Sequence, residues 1–287
     1  MATATTTITM AEPVVYHIPA TKLIPNSTQP LLYYPGFFLR SSSSSTASPA
    51  NPEEEKEKQE AVIDATTVFD LFRQHGWETQ WVAKYGLSQP SHYHPETHEC
   101  MAVLTGPGRI RFGVADLDPD WRRNTPLAAA AVGNTQVPAD GTASQASKQG
   151  EGVYWEAGGV ELTVHAGDAF VIPAGVAHKS YDLAPGAAQE ATALTGADFH
   201  GVDTGHNDND GEGDSNGGKA GKGDTRKVVQ ACELSGFTMI GAYPGGKDWT
   251  WAEGGAHVGD FERIWNIEKP ELDPLTGRKG GINELWA

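Results

Sequence analysis

"GLSQPSHYHPETHECMAVLTG", Gly86 to Gly106, packs three histidines and two glutamates into eight residues and then turns into an apolar run. His92 and His94 are two residues apart, which on a strand places both imidazoles on one face, about 7 Å apart along the chain. Pro95 interrupts the pairing, and Glu99 opens the next strand, where Glu99, Met101 and Val103 share a face that reads as core. A lone carboxylate pointing into a core is costly and needs a partner. A metal ion held together with the imidazoles is one such partner.

A fourth donor lies far along the chain. "GDAFVIPAGVAHKSYD", Gly167 to Asp182, contains a Pro173-x-Gly175 turn that would deliver His178 to the start of a new strand. His92, His94, His178 and Glu99 together make a set of three nitrogens and one oxygen. It suits a divalent first-row metal (Fe, Mn, Ni, Cu or Zn) and leaves positions open for water or substrate. His98 is the alternative to Glu99, although it has the opposite strand parity. His165 reads as a partly exposed strand residue, and His17, His75, His200, His206 and His257 have no constellation around them.

Outward from these motifs the pattern is β-rich. "ETQWVAKYG", "ECMAVLTG", "RIRFGVA", "VELTVHAG", "DAFVIPAG", "KSYDLA" and "GFTMIGAYP" are short segments bounded by turn residues. Such a series indicates an all-β sandwich or barrel. "AVIDATTVFDLFRQHGW" is the exception. It predicts a peripheral helix with Val68, Leu71 and Phe72 on one face and Gly76 at the C-terminal cap. Three stretches lack periodicity: the Ser/Glu-rich 41–60, Asp116 to Gly152, and the acidic, glycine-rich Gly196 to Lys227. They read as mobile low-complexity insertions. The expected organisation is an N-terminal segment over 1–60 and a single domain over 61–287.

Composition narrows the partners. A net charge of −16 repels phosphate backbones, so nucleic acid is not expected. No apolar run approaches a membrane span, and the N-terminal stretch lacks the marks of a secretory or transit signal, so a cytoplasmic location is expected. Cys100 and Cys232 are too few for a disulfide framework. The expected partner is a small-molecule substrate, with a homodimer left open. No P-loop or dinucleotide fingerprint is present, which argues against nicotinamide or flavin use.

The spacings are more specific than any single residue. Gly86, His92, His94, Glu99 and Gly106 fit G-x5-H-x-H-x4-E-x6-G, and Gly167, Pro173, Gly175 and His178 fit G-x5-P-x-G-x2-H. These resemble the two motifs of the cupin superfamily, with Asp182 where the second motif usually ends in asparagine. "HIPATKLIPNSTQPLLYYPG", "GWETQWVAKYG", "SGFTMIGAYPGG" and "KPELDPLTGRKGGINELW" are similar to a single-cupin, YjlB-like family of bacteria and filamentous fungi. The resemblance runs from about Val14 to Trp286, outside the three insertions. It implies a double-stranded β-helix, or jelly-roll, cupin barrel with His92, His94, Glu99 and His178 as ligands pointing inward. Fungal members resembling this chain are described as cupin-domain oxidoreductases, some encoded beside polyketide synthases whose pathways make salicylaldehyde-type aromatics.

Three functions follow. One is a metal-dependent oxidoreductase acting on a small organic metabolite, with Glu99 as the candidate catalytic residue. Another is redox-neutral isomerisation or dehydration. The last is a binding or storage cupin without turnover. Substrate charge turns on "RIRFG": inward-facing Arg109 and Arg111 would favour an anion, whereas a solvated outer face is the plainer reading. Trp81, Tyr85 and Tyr181 either line an aromatic pocket or belong to the core.

Overall fold

The computed structural model describes residues 12–39, 61–125, 154–196, 199–204, 224–247 and 249–287. The described chain runs β1 (Val14–Tyr16), β2 (Leu31–Tyr34), α1 (Ala65–Gln74), β3 (Trp77–Lys84), β4 (His92–Tyr93), β5 (Glu99–Thr105) and β6 (Gly108–Phe112). It continues through α2 (Trp121–Asn124), β7 (Val160–Val164), β8 (Ala169–Ile172), β9 (His178–Tyr181), β10 (Thr192–Ala193) and α3 (Thr225–Gln230). It ends with β11 (Thr238–Pro244), β12 (Ala252–Glu253), α4 (Phe261–Trp265) and α5 (Ile282–Leu285). No helix among the described residues is long and apolar enough to cross a membrane.

The strands form two antiparallel sheets, ordered β1-β2-β8-β5-β11-β3-β10 and β12-β4-β9-β6-β7. This is the jelly-roll arrangement of two facing sheets. The described strands do not close into one continuous barrel. Between the sheets, Met101, Val103, Phe170 and Met239 of the large sheet pack against Ile110, Phe112 and Val164 of the small one. The far face of the large sheet is covered too: Cys100, Ala102 and Leu104 pack against Val68, Phe69 and Phe72 of α1 and against Trp286. All seven residues of β5 are therefore buried, and the odd parity read from the sequence is the face turned toward the opposite sheet.

The helix forms where expected. Asp64 caps α1 by accepting the Thr66 N–H at 2.9 Å, and Gly76 follows at φ +78°, a conformation that suits glycine. Val68 and Phe72 are buried, while Leu71 is only partly so. The stretch ahead of residue 60 enters the fold directly. Strands β1 and β2 extend the large sheet through β8. Buried Asn26 donates to the carbonyls of Pro19 at 2.7 Å and Gly113 at 3.0 Å, binding that stretch to the end of β6.

The three low-complexity stretches have unequal fates. Residues 41–60, 126–153 and 205–223 lie outside the described residues. Asp116 to Thr125, however, holds defined places against the small sheet, and Asp116 bridges to Trp155. At the end of the acidic stretch, α3 buries Val229 and pairs Arg226 with Asp70 of α1 at 2.8 Å.

The α1 cap gives a test. The Thr66 amide that Asp64 accepts, outweighing its slight burial, holds its carboxyl below the usual carboxylate value. A lowered folded pKa means that the cap's contribution is full above the unfolded pKa and lost as pH falls through the folded one. Asp64→Ala is expected to cost about 1 kcal/mol at neutral pH in denaturant melts. Asp64→Asn should retain most of that stability and lose this acid-side pH dependence.

Candidate metal centre

His92 and His178 stand opposite one another in the β4–β9 pairing of the small sheet. His94 lies just beyond β4, and Glu99 opens β5 on the large sheet. The site thus straddles the two sheets at one end of the sandwich. Two contacts lock the motifs together: the Gly175 N–H donates to the His94 carbonyl at 2.9 Å, and the Ala174 N–H donates to His98 Nδ1 at 2.9 Å. Gly175 allows this approach, because it holds φ +85° and a Cβ there would sit 2.4 Å from the Asn26 carbonyl oxygen.

His92, His94 and His178 are all buried, and one ring nitrogen of each lies within 4.8 Å of the others. Backbone carbonyls fix the opposite nitrogens: His92 Nδ1 meets Pro90 O at 3.1 Å, His94 Nδ1 meets Thr250 O at 3.0 Å, and His178 Nδ1 meets Val176 O at 3.3 Å. A carbonyl only accepts, so each Nδ1 carries the proton and each Nε2 presents its lone pair to the centre. Metal-binding histidines are oriented in this way.

Glu99 is the neighbouring carboxylate. Its Oε2 lies 3.1 Å from His178 Nε2 and 3.6 Å from His94 Nε2. The Tyr243 hydroxyl donates to Oε1 and accepts from Trp81 Nε1 at 3.1 Å. Burial, reinforced by His178 and His94, drives the His92 pKa well down and keeps that ring neutral. Burial and the Glu99 charge push the Tyr243 pKa up, so its phenol stays protonated as a donor.

Two polar atoms are left over. His94 Nε2 and Glu99 Oε2 are buried and make no hydrogen bond. Leaving such atoms unpaired costs roughly 1–3 kcal/mol each, a penalty that a cation coordinated between them removes. The three-histidine group is therefore suited to hold a metal ion, with Glu99 beside it.

His98 takes another role. It receives the Ala174 amide on Nδ1, and its Nε2 meets Glu268 O at 3.1 Å. Burial lowers its pKa to about 4. It is a neutral strut joining the two motifs to the C-terminal segment, as its opposite parity to Glu99 implies.

The arginines are corrected in part. Ile110 and Phe112 face the sandwich interior, so Arg109 and Arg111 point away from the site. Arg111 is nonetheless not solvated. It is 3% exposed, pairs with Asp116 at 2.9 Å, donates to Asn124 O at 3.0 Å and lies 4.1 Å over the Trp155 ring. Lys179 reaches the same carboxylate at 3.0 Å, and burial, partly offset by Asp116, lowers its pKa to about 8. Arg109 pairs with Glu161 at 2.9 Å, and Tyr181 donates to that same glutamate, which takes Tyr181 out of the pocket.

Trp81 and Tyr85 do line the cavity that opens above the histidines, which has a volume of about 380 Å³. The sequence did not single out Phe199, Tyr243, Trp249 or Trp251, which line it as well. Trp251 stacks on His92 at 3.5 Å, and His200 stacks on Trp249 at 4.0 Å. Strand parity with Met239 was the one available signal for Tyr243. The others come from irregular segments that no periodicity marks.

His178→Ala is expected to abolish divalent-metal binding by the full chain, measured as metal stoichiometry after dialysis. His98→Ala is expected to retain the metal but lose about 2 kcal/mol of stability, because it strands the Ala174 amide.

No family model matches the chain. It is similar to the uncharacterized protein YjlB of Bacillus subtilis (strain 168), at 21% identity over 230 residues, covering 79% of this chain and 82% of that protein.

Proposed function

We propose that the protein is a metal-dependent cupin enzyme in which His92, His94, His178 and Glu99 hold one divalent first-row metal. The reaction class we assign is oxidation or reduction of a small organic metabolite, of the polyketide-derived aromatic or aldehyde kind that the fungal resemblance implies. The setting is cytoplasmic. One observation carries the reading: three buried imidazoles, each tethered through Nδ1 to a backbone carbonyl, converge beside a carboxylate at the floor of an open cavity. The distant likeness to YjlB over most of both chains supports a shared fold.

The metal, when bound, supplies Lewis acidity, together with redox chemistry where it is iron. The chain's own residues do the rest. Tyr243 holds Glu99 Oε1, which leaves Oε2 turned toward His94 and His178. Glu99 contributes the one negative charge of the donor set. The aromatic walls exclude water from the floor, which strengthens every electrostatic interaction there. The cavity volume falls within the range of small-molecule sites.

The test is to strip the protein and reload it separately with Fe(II), Mn(II), Ni(II), Cu(II) and Zn(II). Each form is then offered aromatic aldehydes and alcohols with oxygen uptake and products followed. Turnover by one metal form that falls at least about 100-fold in Glu99→Ala is the expected outcome. Product formed without net oxidation would assign an isomerase or dehydratase instead. Tight binding without turnover in any form would make the protein a binding module.

A further inference from the structure

The cavity above the histidines is walled by six aromatic rings, those of Trp81, Tyr85, Phe199, Tyr243, Trp249 and Trp251. Their arrangement is ordered. Trp81 meets Phe199 edge-on at 6.1 Å and Tyr85 edge-on at 6.3 Å. Beside it, Tyr243, whose hydroxyl accepts from Trp81 Nε1, lies within 23° of parallel to Trp249 with ring centres 5.6 Å apart. Faces and edges offered in this way favour a flat ring over a saturated one of the same size, since aromatic pairs gain about 0.5–1.5 kcal/mol beyond their buried area.

The charges around the cavity are as selective as its shape. Among its described lining residues there is no lysine or arginine, whereas Glu99 and Glu190 are both present. The cations flanking the motifs are engaged elsewhere: Lys84 donates to Ser235 Oγ at 3.0 Å, Arg111 and Lys179 share Asp116, and Arg109 holds Glu161. In the metal-free protein a carboxylate entering the cavity would lose its hydration, find no cation on the walls and face two like charges. An organic cation would find carboxylates and ring faces, but it would also meet the positive charge of the bound metal.

We propose that the cavity walls select an uncharged planar aromatic molecule over both the corresponding carboxylate and the saturated-ring analogue. The proposal rests on the metal-centre reading for its rejection of cations. Discrimination against anions and saturated rings depends on the walls alone.

The experiment uses the full chain, metal-free and Zn(II)-loaded, titrated calorimetrically with four probes of similar size: benzyl alcohol, cyclohexylmethanol, benzoate and protonated benzylamine. Benzyl alcohol is expected to bind about tenfold more tightly than cyclohexylmethanol in both forms and than benzoate in the metal-free form, and more tightly than benzylamine in the loaded form. Trp251→Ala, which changes a ring that is 41% exposed, should shrink the preference for the aromatic alcohol over its saturated analogue severalfold. Glu190→Gln should raise benzoate affinity in the metal-free protein severalfold more than that of benzyl alcohol. Benzoate or cyclohexylmethanol binding as tightly as benzyl alcohol in the metal-free protein would overturn the proposal, as would tighter binding of benzylamine in the loaded one. Zinc stoichiometry on the same samples separates the two readings. Bound zinc without the probe preference refutes the selectivity alone, and the preference in protein that takes up no zinc refutes the metal centre alone.

Discussion

The structure depends on the neutralisation of one buried carboxylate. Glu99 begins a strand whose seven residues are all shielded from water, and an ionised carboxylate in such a place costs several kcal/mol unless it is compensated. The fold brings three side chains to it. Tyr243 donates from the adjacent strand of the same sheet, while His94 and His178 bring their Nε2 lone pairs from the opposite side of the sandwich, where a cation between them and Glu99 Oε2 would complete the compensation. Each partner requires a particular register, so holding the charge also fixes how the two sheets meet.

A second charged group is buried on the outer side of the small sheet. There Asp116 serves two cations at once, Arg111 and Lys179, and also accepts the Ser91 N–H at 3.0 Å. Ser91 immediately precedes His92, and its hydroxyl donates to Val114 O at 2.6 Å. The outer cluster therefore braces the strand that carries the first histidine. The two networks share no side chain, but they hold the same strand from opposite faces.

Much of this was legible in the sequence because it is local. The alternation Glu99, Met101, Val103 announced an inward face, and the spacing of the two motifs brought together histidines that the fold places within 4.8 Å of one another. Asp64 and Gly76 marked the ends of α1 for similarly local reasons. What escaped was built at long range. Arg111 reads as solvated because the residues that bury it, Asp116, Asn124 and Trp155, belong to a stretch with no periodicity or lie just beyond it. Phe199, Trp249 and Trp251 line the cavity from irregular segments whose position no pattern encodes. Asn26 binds an N-terminal stretch that composition alone sets apart.

His92 and His178 each take their ring orientation from a carbonyl two residues earlier in the chain, that of Pro90 and of Val176. The hydrogen bond that aims each of these two donors is thus written into a tripeptide, and Trp251 stacked on His92 adds to it. Such an arrangement is modular in the evolutionary sense. The intervening sequence is free to lengthen, drift in composition and acquire long polar tracts, and the same two tripeptides still deliver correctly turned imidazoles.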